Sequence, residues 1–169
     1  AYTYYTDENM YGRWSQVSDQ KDKLTDESTK TYGFTFGGPI IKNKLFFFTS
    51  LEYKKNSYPS SYYPGTDNYF LSASDAQSIV EQYEKVMGIK ESFNQRNINK
   101  GALSLLGRLD WNINDANHLS FRYQLNNSYK DVYGSSTYTY YFNNSAYKMK
   151  DKTNSFVAEL TSNISNSLY

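Results

Sequence analysis

Apolar and polar residues alternate with a period of two through much of this chain, the pattern of a strand with one greasy and one wetted face. Six segments show it. Tyr2 to Asp7 alternates too weakly to assign its faces. From Thr31 to Ile40, Tyr32, Phe34 and Phe36 point one way and Gly33, Thr35 and Gly37 the other. From Leu45 to Lys54, Leu45, Phe47, Leu51 and Tyr53 oppose Phe46, Phe48, Ser50, Glu52 and Lys54, so the triplet Phe46-Phe47-Phe48 divides between the faces. Ala102 to Ile113 is the cleanest: Leu103, Leu105, Gly107, Leu109, Trp111 and Ile113 against Ser104, Arg108, Asp110 and Asn112, with Leu106 out of phase. His118 to Asn126 sets Leu119, Phe121, Tyr123 and Leu125 against Ser120, Arg122, Gln124 and Asn126. Asn154 to Ser162 sets Phe156, Ala158 and Leu160 against Val157, Glu159 and Thr161.

The connections alternate as well. Lys42-Asn43-Lys44 and Asn114-Asp115-Ala116-Asn117 are short and carry turn residues, and SNISNSLY at the end reads as a further short turn leading to a seventh strand. Residues 13–30, 56–100 and 131–153 form long polar connections. In an up-and-down meander, every short turn then lies at one end and every long loop at the other. One loop holds a helix: Ser74 with Gln77 three residues on forms a capping box. Ala76, Ile79, Val80, Tyr83, Val86 and Met87 follow at helical spacing, and Gly88 stops the run. Its expected use is packing onto the loops.

Composition sharpens the choice of sheet. Hydrophobic residues are only 38% of the 169, yet aromatics are 18% and Tyr occurs 19 times. Tyr pairs an apolar body with a polar tip and suits boundaries between wet and greasy surroundings. A formal net charge of +1 offers no basic field for nucleic acid. Without cysteine, and with His118 the single histidine, neither a thiolate metal site nor a histidine-rich centre is expected. The loop carboxylates of TDENMYG and GTDNYF lack an EF-hand pattern, and no catalytic motif or cofactor site stands out, so the chain reads as a wall and not an enzyme. No apolar stretch approaches the roughly 18 residues of a membrane-crossing helix.

Alternation also fits a soluble sandwich. Loop asymmetry and aromatics near the strand ends favour an outer-membrane barrel, whose tilted strands cross a band of about 25 Å. The fold class expected is therefore all-β: a transmembrane antiparallel up-and-down β-barrel segment of six to seven strands, with residues 1–169 part of one barrel domain. On that reading Tyr32, Phe34, Phe36, Phe47, Leu51, Leu105, Leu109, Trp111, Phe121, Tyr123, Phe156 and Leu160 face lipid. Phe46, Phe48, Glu52, Arg108, Asp110, Arg122 and Glu159 face the interior, where the charges pair across strands or meet whatever fills the lumen. Candidate substrate contacts are Tyr58, Tyr62, Tyr63, Tyr69, Tyr138, Tyr140 and Tyr141, with loop packing the competing use.

YGFTFGGPIIKNKLFFFTSLEY, Tyr32 to Tyr53, resembles the TonB-dependent outer-membrane transporters, especially the Oar-like branch common in Bacteroidota. The likeness lies in the Gly37-Gly38-Pro39-Ile40-Ile41 strand end, the Lys42-Asn43-Lys44 turn and the aromatic start of the next strand. GRLDWNINDANHLSFRY, Gly107 to Tyr123, resembles the next hairpin, and SNISNSLY the next periplasmic turn. The resemblance implies the first strands of a 22-stranded barrel in the bacterial outer membrane, long loops extracellular and short turns periplasmic. It implies a plug and remaining strands elsewhere in the protein, against which Phe46 and Phe48 would lie. Energy-coupled uptake of a peptide, glycan or chelate, driven by the TonB complex, would follow, and a surface lipoprotein is a further partner it admits. A surface adhesin or secretion-system subunit, and a soluble Tyr-rich glycan-binding domain, are the alternatives.

Overall fold

The computed structural model describes residues 1–7, 9–10, 27–60, 62–66, 69–136, 138–139 and 141–164. Six strands form one antiparallel sheet in chain order: β1 (Tyr2–Asp7), β2 (Ser28–Ile41), β3 (Leu45–Pro59), β4 (Asn97–Asn114), β5 (Asn117–Val132) and β6 (Tyr147–Ser162). Every strand pairs with its sequence neighbour, and the sheet stays open at β1 and β6 among the described residues. The meander, the six strands and the short-long alternation of connections are as the sequence predicts. The seventh strand expected after Asn163 falls on residues 165–169, outside those described.

Strands run further than the alternation does. β3 continues from Lys54 to Pro59, β4 begins at Asn97, β5 reaches Val132 and β6 begins at Tyr147, all at the long-loop end. These extensions are mostly polar, with Ile98, Val132 and Met149 too scattered to set a period, so hydropathy gives no sign of them, while the ladder continues because neighbouring strands extend together and stay paired. The 18 residues of β4 reach roughly 60 Å along the strand, well beyond the span needed to cross a 25 Å band at barrel tilt. The long-loop end therefore stands above the apolar rows.

The short turns are built from side chains. Asn43 takes φ 60°, a left-handed conformation that Asn tolerates, and Lys44 N–H donates to the Ile41 carbonyl at 3.0 Å. Asn114 Oδ1 accepts from Ala116 N–H at 3.0 Å and from Asn117 Nδ2 at 2.9 Å, an Asx turn. The two turns are stitched together: Asn112 N–H donates to the Lys44 carbonyl at 2.8 Å and its side-chain amide to the Asn43 carbonyl at 3.2 Å.

Helix α1 (Ala73–Met87) lies between β3 and β4. Its cap is Ser72 and not Ser74: the Ser72 hydroxyl accepts from Asp75 N–H at 3.1 Å and donates to the Asp75 carboxylate at 2.7 Å. Two serines at adjacent possible caps explain the sequence error. Gly88 closes the helix in the left-handed conformation, with its N–H on the Glu84 carbonyl at 2.8 Å. Ala76 and Val80 are buried, and Tyr83 meets Phe142 of the next long connection at 4.9 Å, so the helix packs onto loop structure.

No side chain among the described residues is fully enclosed, and the buried apolar residues are Tyr69, Ala76 and Val80, all in or beside the α1 loop. The sheet itself has no core. We expect Asn43→Val to destabilise the full-length protein by about 1 kcal/mol and Asn43→Gly to leave it unchanged or more stable, measured by urea unfolding in detergent.

Candidate functional site: the two faces of the sheet

Register decides which residues share a face. Phe34, Leu51, Leu105 and Leu125 form one cross-strand row, and Phe36, Thr49, Gly107, Tyr123 and Phe156 the next. Gly38, Phe47, Leu109, Phe121 and Ala158 follow, then Leu45, Trp111, Leu119 and Leu160. Tyr32, Tyr53 and Leu103 begin the series at the long-loop side. The residues assigned above to the apolar face thus all lie on one side. They are uncovered among the described residues: Phe34 is 47% exposed, Phe36 58% and Phe121 45%, with no second layer of those residues against them. At about 200 Å² per aromatic ring, the uncovered area is on the order of 1,000 Å², more than a soluble monomer presents.

Polar groups on this face are satisfied locally. Thr49 Oγ1 donates to the Leu106 carbonyl at 3.1 Å. Asn154, opposite Leu125, accepts the Tyr123 hydroxyl at 3.0 Å, while Tyr123 packs on Phe156 at 4.6 Å. Such closure is what surroundings without water require. Phe36 meets Phe47 edge-on at 5.3 Å.

The other face carries the charge. Gly33, Glu52, Ser104 and Asn126 form one row, and Gly37, Phe48, Arg108, Arg122 and Val157 another. Pro39, Phe46, Asp110, Ser120 and Glu159 lie beyond them. All the residues predicted to face the interior are therefore together. Arg108 grips Asp110 on its own strand through two nitrogens, each at 2.8 Å, and His118 approaches the same carboxylate at 3.6 Å. His118 Nδ1 also lies 2.7 Å from Asn112 Oδ1, so the lone histidine is engaged in a strand-end network. The pairing expected across neighbouring strands is replaced here by pairing along one strand, because i and i+2 share a face. Arg122 sits opposite Arg108, and neither Arg122 nor Glu159 has an ion-pair partner among the described residues.

β1, whose faces the sequence leaves open, is oriented by its partner. Tyr2 stands on the charged face because it opposes Gly33, and its ring occupies the space where a Gly33 side chain would be. From there its hydroxyl donates to Glu52, two strands away. The aromatic triplet has a similar aid: Gly37 leaves room beside Phe48, whose ring edge would be 3.1 Å from a side chain there.

At the long-loop end this face opens into a cleft of about 790 Å³, lined by Glu27, Lys54, Tyr58, Lys100, Lys130 and Asp151 among others. Lys100 Nζ lies 4.7 Å from the centre of the Tyr58 ring. Of the tyrosines proposed as contacts, Tyr58 alone lines this cleft. Tyr69 is buried against Phe70 at 4.9 Å and serves loop packing. Tyr63 is half-buried; Tyr62 and Tyr138 are exposed. Tyr141 covers Gly134, its amide donates to Ser135, and its carbonyl accepts from Arg96 at 2.9 Å. Tyr140 lies outside the described residues, as do parts of both carboxylate loops weighed for calcium. Lys100, Lys130 and Asp151 escape a sequence reading because they sit on the polar strand extensions.

Residues 1–68 match the model of a family described as an outer membrane beta barrel domain. The matched segment contains β1, β2 and β3. No curated protein and no solved structure matches the chain. The match spans 68 of the 169 residues and, together with the bare apolar face, supports an outer-membrane β-barrel sheet in contact with membrane lipid.

Replacing Gly33 by valine is expected to displace Tyr2, release Glu52 and cost roughly 1–3 kcal/mol. Gly107→Ala, where the added methyl meets open space, is expected to change stability by less than about 0.5 kcal/mol. Paired denaturation curves of the full-length variants check both.

Proposed function

We propose that this sheet is wall of a TonB-dependent outer-membrane transporter, importing a peptide, glycan or chelate by energy-coupled uptake. The observation that carries the reading is the division of one coreless sheet into a bare apolar side and a charged side. A face with Phe46, Phe48, and Arg122 and Glu159 without an ion-pair partner among the described residues calls for a filling with both apolar and charged groups, as a plug domain would supply. The likeness of Tyr32 to Tyr53 to these transporters adds the family-level argument. On this account the remaining strands close the sheet, the long loops are extracellular and the short turns periplasmic. Substrate enters past the Tyr58–Lys100 cleft and the exposed tyrosines Tyr62 and Tyr138, a surface lipoprotein being a further partner at that end.

Two measurements test it. Leu105→Arg places a charge mid-band on the apolar face and is expected to cost about 2–4 kcal/mol in a bilayer, against less than about 1 for Ser104→Arg on the other side. Equal costs would remove the membrane reading. Purified full-length protein is also expected to retain the periplasmic domain of TonB. Absence of retention by a correctly inserted barrel would instead favour the adhesin or secretion role.

A further inference from the structure

One charged cluster lies apart from the interior. Immediately above the apolar band, the same face changes character over three rows. The Tyr53 row ends in Lys152 on β6. The next holds Tyr5, Lys30, Lys55, Gly101, Tyr129 and Lys150, and the third places Lys148 beside Asp131 and, farther along, Asp7. Five lysines thus occupy one strip, while the apolar rows below hold no charge. Among the described residues the acidic groups in the strip are Asp7 and Asp131. Asp131 lies 3.5 Å from Lys148, and Asp7 accepts from the Tyr5 hydroxyl at 2.9 Å.

Lys30 and Lys55 stand directly opposite each other, without a carboxylate in their row. Like charges so placed repel and call for a counter-anion. Two of the ammonium groups are steered by rings: Lys30 Nζ lies 5.5 Å from the centre of Tyr5, and Lys148 Nζ 4.9 Å from that of Tyr129. The Tyr129 ring fills the space that a Gly101 side chain would take, so that ring stands in the row between Lys55 and Lys150.

We infer that this strip binds the phosphate groups of lipid headgroups in the leaflet at the long-loop end. The inference rests on the barrel reading above, which makes the apolar face lipid-facing. Height selects the occupant: the lysines begin one row above the last apolar row, where headgroups lie, and Tyr and Lys together are the side chains that reach that level. A soluble anion would have no reason to be met at the edge of an apolar band.

The test uses the full-length protein in neutral detergent, titrated with lipid A or its dephosphorylated form and read by native mass spectrometry. Lys30→Gln/Lys55→Gln/Lys150→Gln is expected to weaken retention of lipid A by about tenfold or more. It should leave the dephosphorylated lipid unaffected. Lys42→Gln/Lys44→Gln/Lys90→Gln removes equal charge elsewhere and should retain lipid A as the parent does. Equal loss in both variants, or no loss in the first, overturns the inference; so does displacement of lipid A by equimolar inorganic phosphate. Resistance of the parent protein to alkaline extraction from membranes is followed in parallel. If that fails, the barrel reading falls and takes the strip with it; if it holds, the lipid titration judges the strip alone.

Discussion

Hydrocarbon offers no hydrogen-bonding partner, so a chain that crosses it must pair its backbone N–H and C=O groups with itself. That constraint organises this molecule. β2 to β5 are bonded on both sides, and one register runs through all of them with shifts only at Pro39/Ile41 and Asn112/Asn114, beside the short turns. A slip by one residue anywhere between would move Phe34, Leu105 or Phe121 to the charged side. Register, and not a core, is therefore what keeps the two faces distinct. The outer edges of β1 and β6 leave the same obligation open among the described residues.

Function follows from that division. Among the described residues no second layer covers the apolar side, and its polar groups Thr49 and Asn154 are bonded within the sheet. The opposite side behaves otherwise. Arg108 and Asp110 neutralise each other, Glu52 holds Tyr2, and Arg122 faces Arg108. Above both, the strands rise past the band into a rim where the interior cleft and the outer lysines lie back to back. One wall thus presents three environments: lipid tails, a polar interior, and a charged rim.

Much of this was legible in the sequence, and the limits of legibility have physical causes. Where hydropathy alternates, as from Leu103 to Trp111 or Leu119 to Gln124, strand and facing can both be read, because burial against a medium of one kind imposes a period. Tyr2 to Asp7 could not be oriented, since its Tyr-Thr pattern is amphipathic on either side and only Gly33 opposite decides. The polar ends of β3 to β6 read as loop because neither face there is apolar enough to impose a hydropathy period. The cleft and the lysine strip lie there, so the best-defined sites of the fold sit where the periodic signal is weakest. Ser72 against Ser74 shows the other kind of limit: local chemistry allowed either cap, and the Asp75 geometry chose.

The claim on which the account depends is that lipid contacts alternate residue by residue along these strands. These 169 residues hold no cysteine, so, with any cysteine elsewhere in the full-length protein replaced, single cysteines can be placed along β4 from Leu103 to Trp111, spin-labelled and reconstituted in a bilayer. Collision rates with oxygen and with a water-soluble nickel chelate then report each position. The account predicts oxygen-dominated collisions at Leu103, Leu105, Leu109 and Trp111, with the opposite preference at Ser104, Arg108 and Asp110. Collisions with the nickel chelate dominating at Leu105 and Leu109 as they do at Ser104 would contradict it.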